Sequence, residues 1–336
     1  MARTRLPRRR ALLRAVSAAC AAAALCAMAP AGAQARYPEK PVRMLVGFAA
    51  GGPTDVIARK LAAKIAPILG QSVVVENKPG ASTTIATAEL VKSAADGHTL
   101  YFTGSAALTI TPLSVPNLSF DVARDIAPVA LVAAEQIAIA VNPSVRARSL
   151  RELAALAKAE PGRISFASSG TGGVGHLTGE LFNQLGGGLG MQHISYKGAG
   201  PAMQDVLAGH VGVLAAGLGS MYAQHQAGKL VVLAVTDERR STIARDIPTA
   251  AEAGFPGLLT TSVFIVLAPA GTPGPVIETV NRAIAQTMGN EEFLADLRQA
   301  TVEPILGSTP ARTGQFINGE LAKWANLVKS TGMKLQ

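Results

Sequence analysis

The sequence predicts an α/β protein of two lobes, each an open, mostly parallel sheet with flanking helices. Three observations predict it. Short apolar runs alternate with helical patterns of roughly 10–15 residues, the signature of β-α units that feed a parallel sheet. A strand, Gly-rich turn and helix near the start recur in the same order further along. The chain, at 336 residues, exceeds the length at which single hydrophobic cores stop growing.

Residues 1–35 stand outside this pattern. Arg3, Arg5, Arg8, Arg9, Arg10 and Arg14 precede the Ala-rich run Ala15–Ala29, and small residues follow at Ala33-Gln34-Ala35. This is the plan of a secretory signal peptide, expected to be cut after Ala35. The apolar run is too short for a comfortable membrane span. The arginines before Ala11-Leu12-Leu13 leave Sec and twin-arginine export both open. The chain has a formal charge of +9, but six arginines and no acid lie in residues 1–35, so the remainder carries about +3. No basic patch with interleaved aromatics remains to suggest nucleic acid. Both cysteines, Cys20 and Cys26, lie in the signal, which removes disulfide and thiol chemistry from the exported chain. After Ala35 no segment is long and apolar enough to cross a bilayer. The expectation is a soluble, monomeric protein of the periplasm.

Met44–Phe48 reads as a buried strand, and Gly51-Gly52 lets the backbone turn sharply. Pro53, Thr54 and Asp55 suit the first positions of a helix, and Val56, Ile57, Leu61, Ile65 and Leu69 continue it at helical spacing. Ser72–Glu76 is a second strand, Ser82–Ala94 a helix with Ile85, Leu90 and Val91 inward, and Thr99–Phe102 a third strand. The stretch with Pro112, Pro116 and Asp121 looks irregular. Pro128–Leu131 and Gln136–Val141 are strand-like, and Ser149 with Glu152 forms a capping box for Leu150–Ala159. The opening pattern then recurs: strand Ile164–Ala167, Gly-rich turn Ser168–Gly175, helix His176–Leu185 with Leu177, Leu181 and Leu185 on one stripe, strand Gln192–Tyr196, Lys197-Gly198-Ala199-Gly200-Pro201 opening a helix through Leu207, and strand Val211–Ala215 ending at Gly217-Leu218-Gly219-Ser220. The apolar runs Leu230–Val235 and Val263–Leu267 follow. Helices are expected from Pro273 to Met288, Glu291 to Ala300 and Ala311 to Thr331, with Trp324 as packing. The two copies make a diverged internal duplication, too long in period for a solenoid. Residues 36–134 with 256–336 form the first lobe and 135–255 the second, and two chain crossings make a hinge.

Each Gly-rich turn aims unpaired N–H groups and the positive end of a helix dipole at one spot, which is an anion site built from neutral donors. Gly170-Thr171-Gly172-Gly173-Val174-Gly175 also fits the dinucleotide fingerprint literally, but no acid follows in Gly190–Lys197, where the ribose partner belongs. His98, His176, His193, His210 and His225 form no metal-type pair, and there is no Gly-x-Ser-x-Gly elbow or Walker loop. His176, in the first helical turn after the second Gly-rich turn, is a candidate for the cleft, with a surface or packing role as the alternative. Asp55 either bonds backbone N–H groups at the helix start and pairs with Arg59, or meets an amino group of a ligand.

With these features, the chain resembles the periplasmic receptors of tripartite tricarboxylate transporters, the Bug or TctC-like proteins. The likeness runs from about Tyr37 to Gly332. It rests on Tyr37–Arg43, Gly51-Gly52-Pro53-Thr54-Asp55, Val75–Gly80, Asp96–Leu100, Val141-Asn142-Pro143, His193–Gly198, Leu233–Thr236, Ile247–Gly254 and Leu267–Pro273. The resemblance implies a class II Venus flytrap of the periplasmic-binding-protein type. Such a receptor captures a small organic acid between its lobes and delivers it to membrane permease subunits, without catalysis and without cofactor or metal. It implies that backbone groups of Phe48, Ala49, Ala50, Gly51, Gly52, Thr54 and Asp55 hold a carboxylate, with Ser105, Ser168, Thr171 and Tyr196 supplying hydroxyls. Gly172 and His176 join this set from the second turn. The chain departs from the family pattern at Gly47–Ala50, Ala81–Thr84, Gly212 and Ala216, all near the expected cleft and hinge. Two alternatives to the receptor are a nicotinamide-dependent enzyme using Gly170–Gly175 and a periplasmic sensor on the same fold.

Overall fold

The opening apolar run becomes strand β1, Val42–Val46, two residues earlier than expected because Gly47 already begins the turn. The structure, a computed structural model, describes residues 37–331 except Pro116 and Lys197. The signal peptide, both cysteines and Lys197 therefore lie outside the described residues. Helix α1, Pro53–Leu69, follows, with Ile57, Leu61 and Ile65 on its buried stripe and Gly70 closing it in the left-handed region. Strand β2 is Val73–Asn77. A 3₁₀ turn, Ala81–Thr83, leads into α2, Thr84–Lys92. Ile85, expected inward, is half exposed because that turn rotates the start of the helix; Leu90 is buried. Strand β3 is Thr99–Gly104. β1 pairs in parallel with both β2 and β3.

The stretch expected to be irregular holds three one-turn helices, α3 (Ala106–Thr109), α4 (Thr111–Ser114) and α5 (Val122–Asp125), the last capped by Asp121. The two apolar runs after it are one strand, β4, Ile126–Val141. Glu135, in the interval between the two runs, does not interrupt it, because Ser262 and Val302 pair with it on its two edges.

Helix α6, Leu150–Ala159, takes its cap from Ser149, whose hydroxyl accepts the Glu152 N–H. The repeat then unfolds as β5 (Ser165–Ser168), α7 (Val174–Leu185), β6 (Gln192–Ser195), α8 (Ala199–Leu207) and β7 (Val213–Gly217). β5 pairs in parallel with β6 and β7 just as β1 does with β2 and β3. Leu177 is buried and Leu181 partly so, but Leu185, expected on the same stripe, is exposed as the last residue of α7. Helix α9, Leu218–Gln226, grows from the expected terminal Gly-Ser of β7. β8 (Val231–Val235), β9 (Thr261–Pro269), α10 (Gly274–Thr287), α11 (Glu291–Gln299), β10 (Val302–Pro304) and α12 (Pro310–Thr331) complete the chain.

The strand order is β2-β1-β3-β9-β4-β7-β5-β6, with β8 and β10 also on β4. From Ile126 to Gln136, β4 pairs antiparallel with β9; from Ile137 to Val141 it pairs with β7 and β8. One strand thus carries two sheets. The carboxyl ends of β1, β3, β5 and β7 point toward its midpoint, because β3 runs antiparallel to β9 with β1 parallel to it, and β7 runs antiparallel to β4 with β5 parallel to it. Two cores lie around the second sheet, one with Phe166, Phe182 and Leu258 and one with Met203, Leu214 and Val235. The first sheet is filled by Leu45, Tyr101, Leu131 and Ile265. A smaller cluster gathers Ile110, Ile137, Val174, Leu177 and Trp324, so Trp324 is packing as expected. It also brings the first turn of α7 against the helices that follow β3.

Close packing of α7 on β5 depends on Gly179, where a Cβ would lie 2.1 Å from the Phe166 ring. Gly179→Ala should therefore cost about 1–3 kcal/mol by overpacking. Gly200→Ala, which meets nothing within 4 Å, should be neutral or should gain up to about 1 kcal/mol in helix propensity. Urea denaturation of the two variants checks this contrast.

Candidate functional site

Two turns at the carboxyl ends of β1 and β5 have the same backbone. In the first, Gly52 N–H returns to the Ala49 carbonyl at 3.4 Å and Gly51 has φ 82°. In the second, Gly173 N–H returns to the Gly170 carbonyl at 3.2 Å and Gly172 has φ 73°. Both are turns whose third residue needs the left-handed region, which is why glycine stands there. The following glycines then cap their helices in nearly identical extended conformations, Gly52 at φ −75°, ψ 166° and Gly173 at φ −79°, ψ 164°. The duplication read from the sequence is therefore preserved at the level of dihedral angles.

Each turn leaves backbone donors free. Among the described residues, no acceptor takes the N–H groups of Ala49, Ala50, Thr54 or Asp55 in the first, or of Thr171, Val174, Gly175 or His176 in the second. Phe48, Ala49, Ala50, Gly51 and Thr171 are exposed, Gly52 and Gly172 partly so, and Thr54 is buried. No lysine or arginine lies within either turn.

Asp55 is committed to its own turn. Its carboxylate accepts the Gly51 N–H at 2.9 Å, the Asn77 side-chain amide at 2.9 Å and Arg59 Nε at 3.1 Å. Burial pushes this carboxyl up, but the hydrogen bonds from Arg59, Gly51 and Asn77 outweigh it and hold the group below the usual carboxylate range. Asn77, at the end of β2, also donates to the Phe48 carbonyl at 3.0 Å. Sequence reasoning missed it, although a polar residue ending the neighbouring strand is a signal for such a bridge.

The second turn is held by imidazoles. His176 Nδ1 accepts the Gly172 N–H at 3.0 Å. Its ring stacks on His193 with centroids 3.8 Å apart, and Phe166 lies beside both. His193 Nε2 lies 2.7 Å from the Ser168 hydroxyl. Burial pushes both imidazoles down to about 4, and for His193 the neighbouring His176 adds to it. The pairing of His176 with His193 could not be read from sequence, because a helix start and a strand meet there only through the parallel β5–β6 register.

The hydroxyls expected to face a ligand are largely occupied. Ser168 has no exposed surface and also donates to the Gly170 carbonyl at 3.1 Å. Ser105 is buried and accepts the Val263 N–H at 3.1 Å. Tyr196 donates to Asp205 at 2.5 Å, and its hydroxyl is pushed up to about 12 by burial and by that carboxylate. Its backbone N–H meets the Ser168 carbonyl at 3.1 Å, clamping β6 to the second turn. Ser168, Thr171, Gly172, His176 and Tyr196 thus gather at the second turn, and Phe48 to Asp55 at the first. Ser168 beside His193 imitates a nucleophile and base. However, the serine is sealed, no carboxylate among the described residues orients the histidine, and an imidazole pushed to about 4 is a weak base at neutral pH.

Glu135 and Gln136 occupy the point where the two sheets meet. Burial alone pushes Glu135 up to about 7. Gly217 makes room for it: a Cβ there would stand 1.8 Å from Glu135 Oε1.

The model of the tripartite tricarboxylate transporter family receptor matches residues 57–333. The chain belongs to this receptor family. It is 38% identical to BugT of Bordetella pertussis over 301 residues, covering 89% of this chain and 92% of that one. Among solved structures, a protein of R. palustris with adipate superposes with a TM-score of 0.79 at 32% identity, covering 88% of this chain and 98% of that one. MatC from Rhodopseudomonas palustris with bound malate gives 0.77 at 27%, covering 87% and 100%. The two-lobed α/β receptor fold expected from the sequence is therefore the fold of the molecule. The chain is a solute receptor of the transporter family.

The shifted groups set the pH dependence of this receptor's stability. The unfolded chain takes up protons on His176 and His193 near 6.5, the folded chain only near 4, so stability falls as pH drops from 6.5 toward 4. Glu135 acts oppositely: the unfolded carboxyl ionises from 4.5 and the folded one near 7, so stability is lost as pH rises through that window. Glu135→Gln should stabilise by about 1–2 kcal/mol at pH 8 and by little at pH 4, as measured by chemical denaturation at both pH values.

Proposed function

We propose that this chain is an exported periplasmic receptor that captures one small organic acid in a cleft between its two lobes. It passes the acid to the membrane permease of a tripartite tricarboxylate-type transporter and does no chemistry on it. The observation that carries this reading is the repeated turn, with free N–H groups at Ala49, Ala50 and Thr54 in one copy and at Thr171, Val174 and Gly175 in the other. Both stand at helix N-termini, where backbone dipoles favour an anion. Neutral donors hold a carboxylate without stripping water from a partner cation, which spares the cost of burying an ion pair.

The adipate and malate seen in the two relatives are small dicarboxylates, the class of ligand assigned here. The lobes are residues up to 136 with 261 onward, and 137–260; the change of partners along β4 supports these limits. Phe255 and Leu258 still pack in the second sheet's core, and Thr260 bonds back to Thr236. The dinucleotide alternative loses support because β6 ends at Ser195 with Tyr196, not an acid, following, and because the Gly172 N–H is already spent on His176.

The test is native mass spectrometry of the protein purified from periplasm, followed by thermal shift with adipate, malate and the uncharged adipamide. A released small carboxylic acid, and a rise of several degrees with an acid but none with adipamide, is the expected outcome. A ligand at a hundred times its Kd stabilises by about 2.7 kcal/mol. Release of NAD or NADP would overturn the reading.

A further inference from the structure

We propose that His176 and Asp55 are equivalent positioning residues, each fixing one receiving turn by holding the N–H of its left-handed glycine. Each is the third residue of its helix. Each accepts from the glycine four residues earlier, Asp55 from Gly51 at 2.9 Å and His176 from Gly172 at 3.0 Å. In an ordinary capping box the third helical side chain reaches the capping residue itself. Here it reaches one residue further out, and the capping glycines bond to Ala49 and Gly170 instead. The tie holds Gly51 and Gly172 in the left-handed region and so directs the free N–H groups on either side to one point. Neither tied N–H is available to a ligand. Gly172 and His176, expected to touch the ligand, act through the shape of the turn.

The arrangement fixes the histidine's chemistry. To accept from Gly172, Nδ1 must carry no proton, so His176 is neutral with its proton on Nε2, which faces Glu180 Oε1 at 3.9 Å. The titratable groups facing the ring are Glu180 on its own helix and His193 from β6; β5 presents Phe166 and Ser168. Stacking against His193 disfavours a charge on either ring, and burial acts in the same direction. Protonation of His176 removes the acceptor and frees the second turn, whereas the first turn keeps its tie through an ionised carboxylate.

This inference builds on the reading of the two turns as the receiving site, but its test needs no ligand. Hydrogen exchange of the Gly51 and Gly172 amides is followed by NMR on the mature protein from pH 7 to 4, in wild type, His176→Asn and His176→Leu. Asparagine offers an oxygen close to the position of Nδ1; leucine offers none. Protection of Gly172 should fall about tenfold in His176→Leu, the scale of one lost buried hydrogen bond, and stay within about threefold of wild type in His176→Asn. In wild type it should fall as His176 titrates, while Gly51 changes in neither variant. Unchanged protection in His176→Leu, or equal loss in both variants, overturns the proposal. So does a wild-type ¹⁵N spectrum that puts the His176 proton on Nδ1, a measurement that stands even if the variants do not fold. A failure of the carboxylate reading would appear only in ligand titrations and leave these results unaffected.

Discussion

The molecule depends on one strand that changes partners at its middle and is paired on both edges on either side of that point. β4 has β9 and β10 beside Ala133–Glu135 and β7 and β8 beside Ala138–Val141. Because β9 pairs with it from Ile126 to Gln136 and β7 and β8 take over from Ile137 and Ala138, the strand is continuous, and the two sheets are tied through its centre. A single break there would release one sheet from the other. The sequence shares this burden: apolar residues fill the ends of β4, while Glu135 and Gln136 sit where the sheets diverge. Thr236 and Thr260 extend the ladder across the junction, with Thr236 meeting the Ile137 carbonyl and Thr260 meeting Thr236.

Much of this was legible in the sequence, and the exceptions have physical causes. Glycine pairs between a strand and a helix marked both turns, because only glycine takes the positive φ that the turns require. The duplication was legible for the same reason, since two copies of one turn need the same residue type at the same place. What failed depended on partners far away in the chain. Met44–Phe48 overran its strand because hydrophobicity does not record where pairing stops. Ile85 and Leu185 fit a helical stripe, yet the turn before α2 and the end of α7 leave them in solvent. β4 was read as two strands, Pro128–Leu131 and Gln136–Val141, because the interval with Glu135 is ordered by pairing with Ser262 and Val302, both distant in sequence. The seryl and tyrosyl hydroxyls were assigned to a ligand, but Val263, His193 and Asp205 claim them, and none of these is near in sequence.

Burial and backbone geometry, more than residue type, decide what the polar side chains near the two turns do. A serine 2.7 Å from a histidine would read as a catalytic pair from composition and distance. Burial reverses that reading, because a sealed hydroxyl reaches no substrate and a histidine stripped of water gives up its proton. In this molecule the polar side chains nearest the turns shape the backbone, and the backbone presents the donors. An organic acid bound in this way would be recognised by geometry at its carboxylate and by little else, a plan that allows relatives of one fold to differ in ligand.

The two turns are alike in shape but unlike in charge. Asp55 brings a carboxylate to the head of α1 and needs Arg59 and Asn77 to balance it. His176 performs the same tie at the head of α7 as a neutral ring and needs no counter-charge. A helix N-terminus already facing a side-chain carboxylate has part of its favourable field satisfied. The head of α7 carries a neutral ring at that position, whereas the head of α1 carries an ion pair, with Arg59 Nε 3.0 Å from the Asp55 carboxylate. A duplicated frame has thus diverged at one position into two electrically distinct halves, so a ligand with one charged end would meet an asymmetric cleft even though the backbone around it repeats.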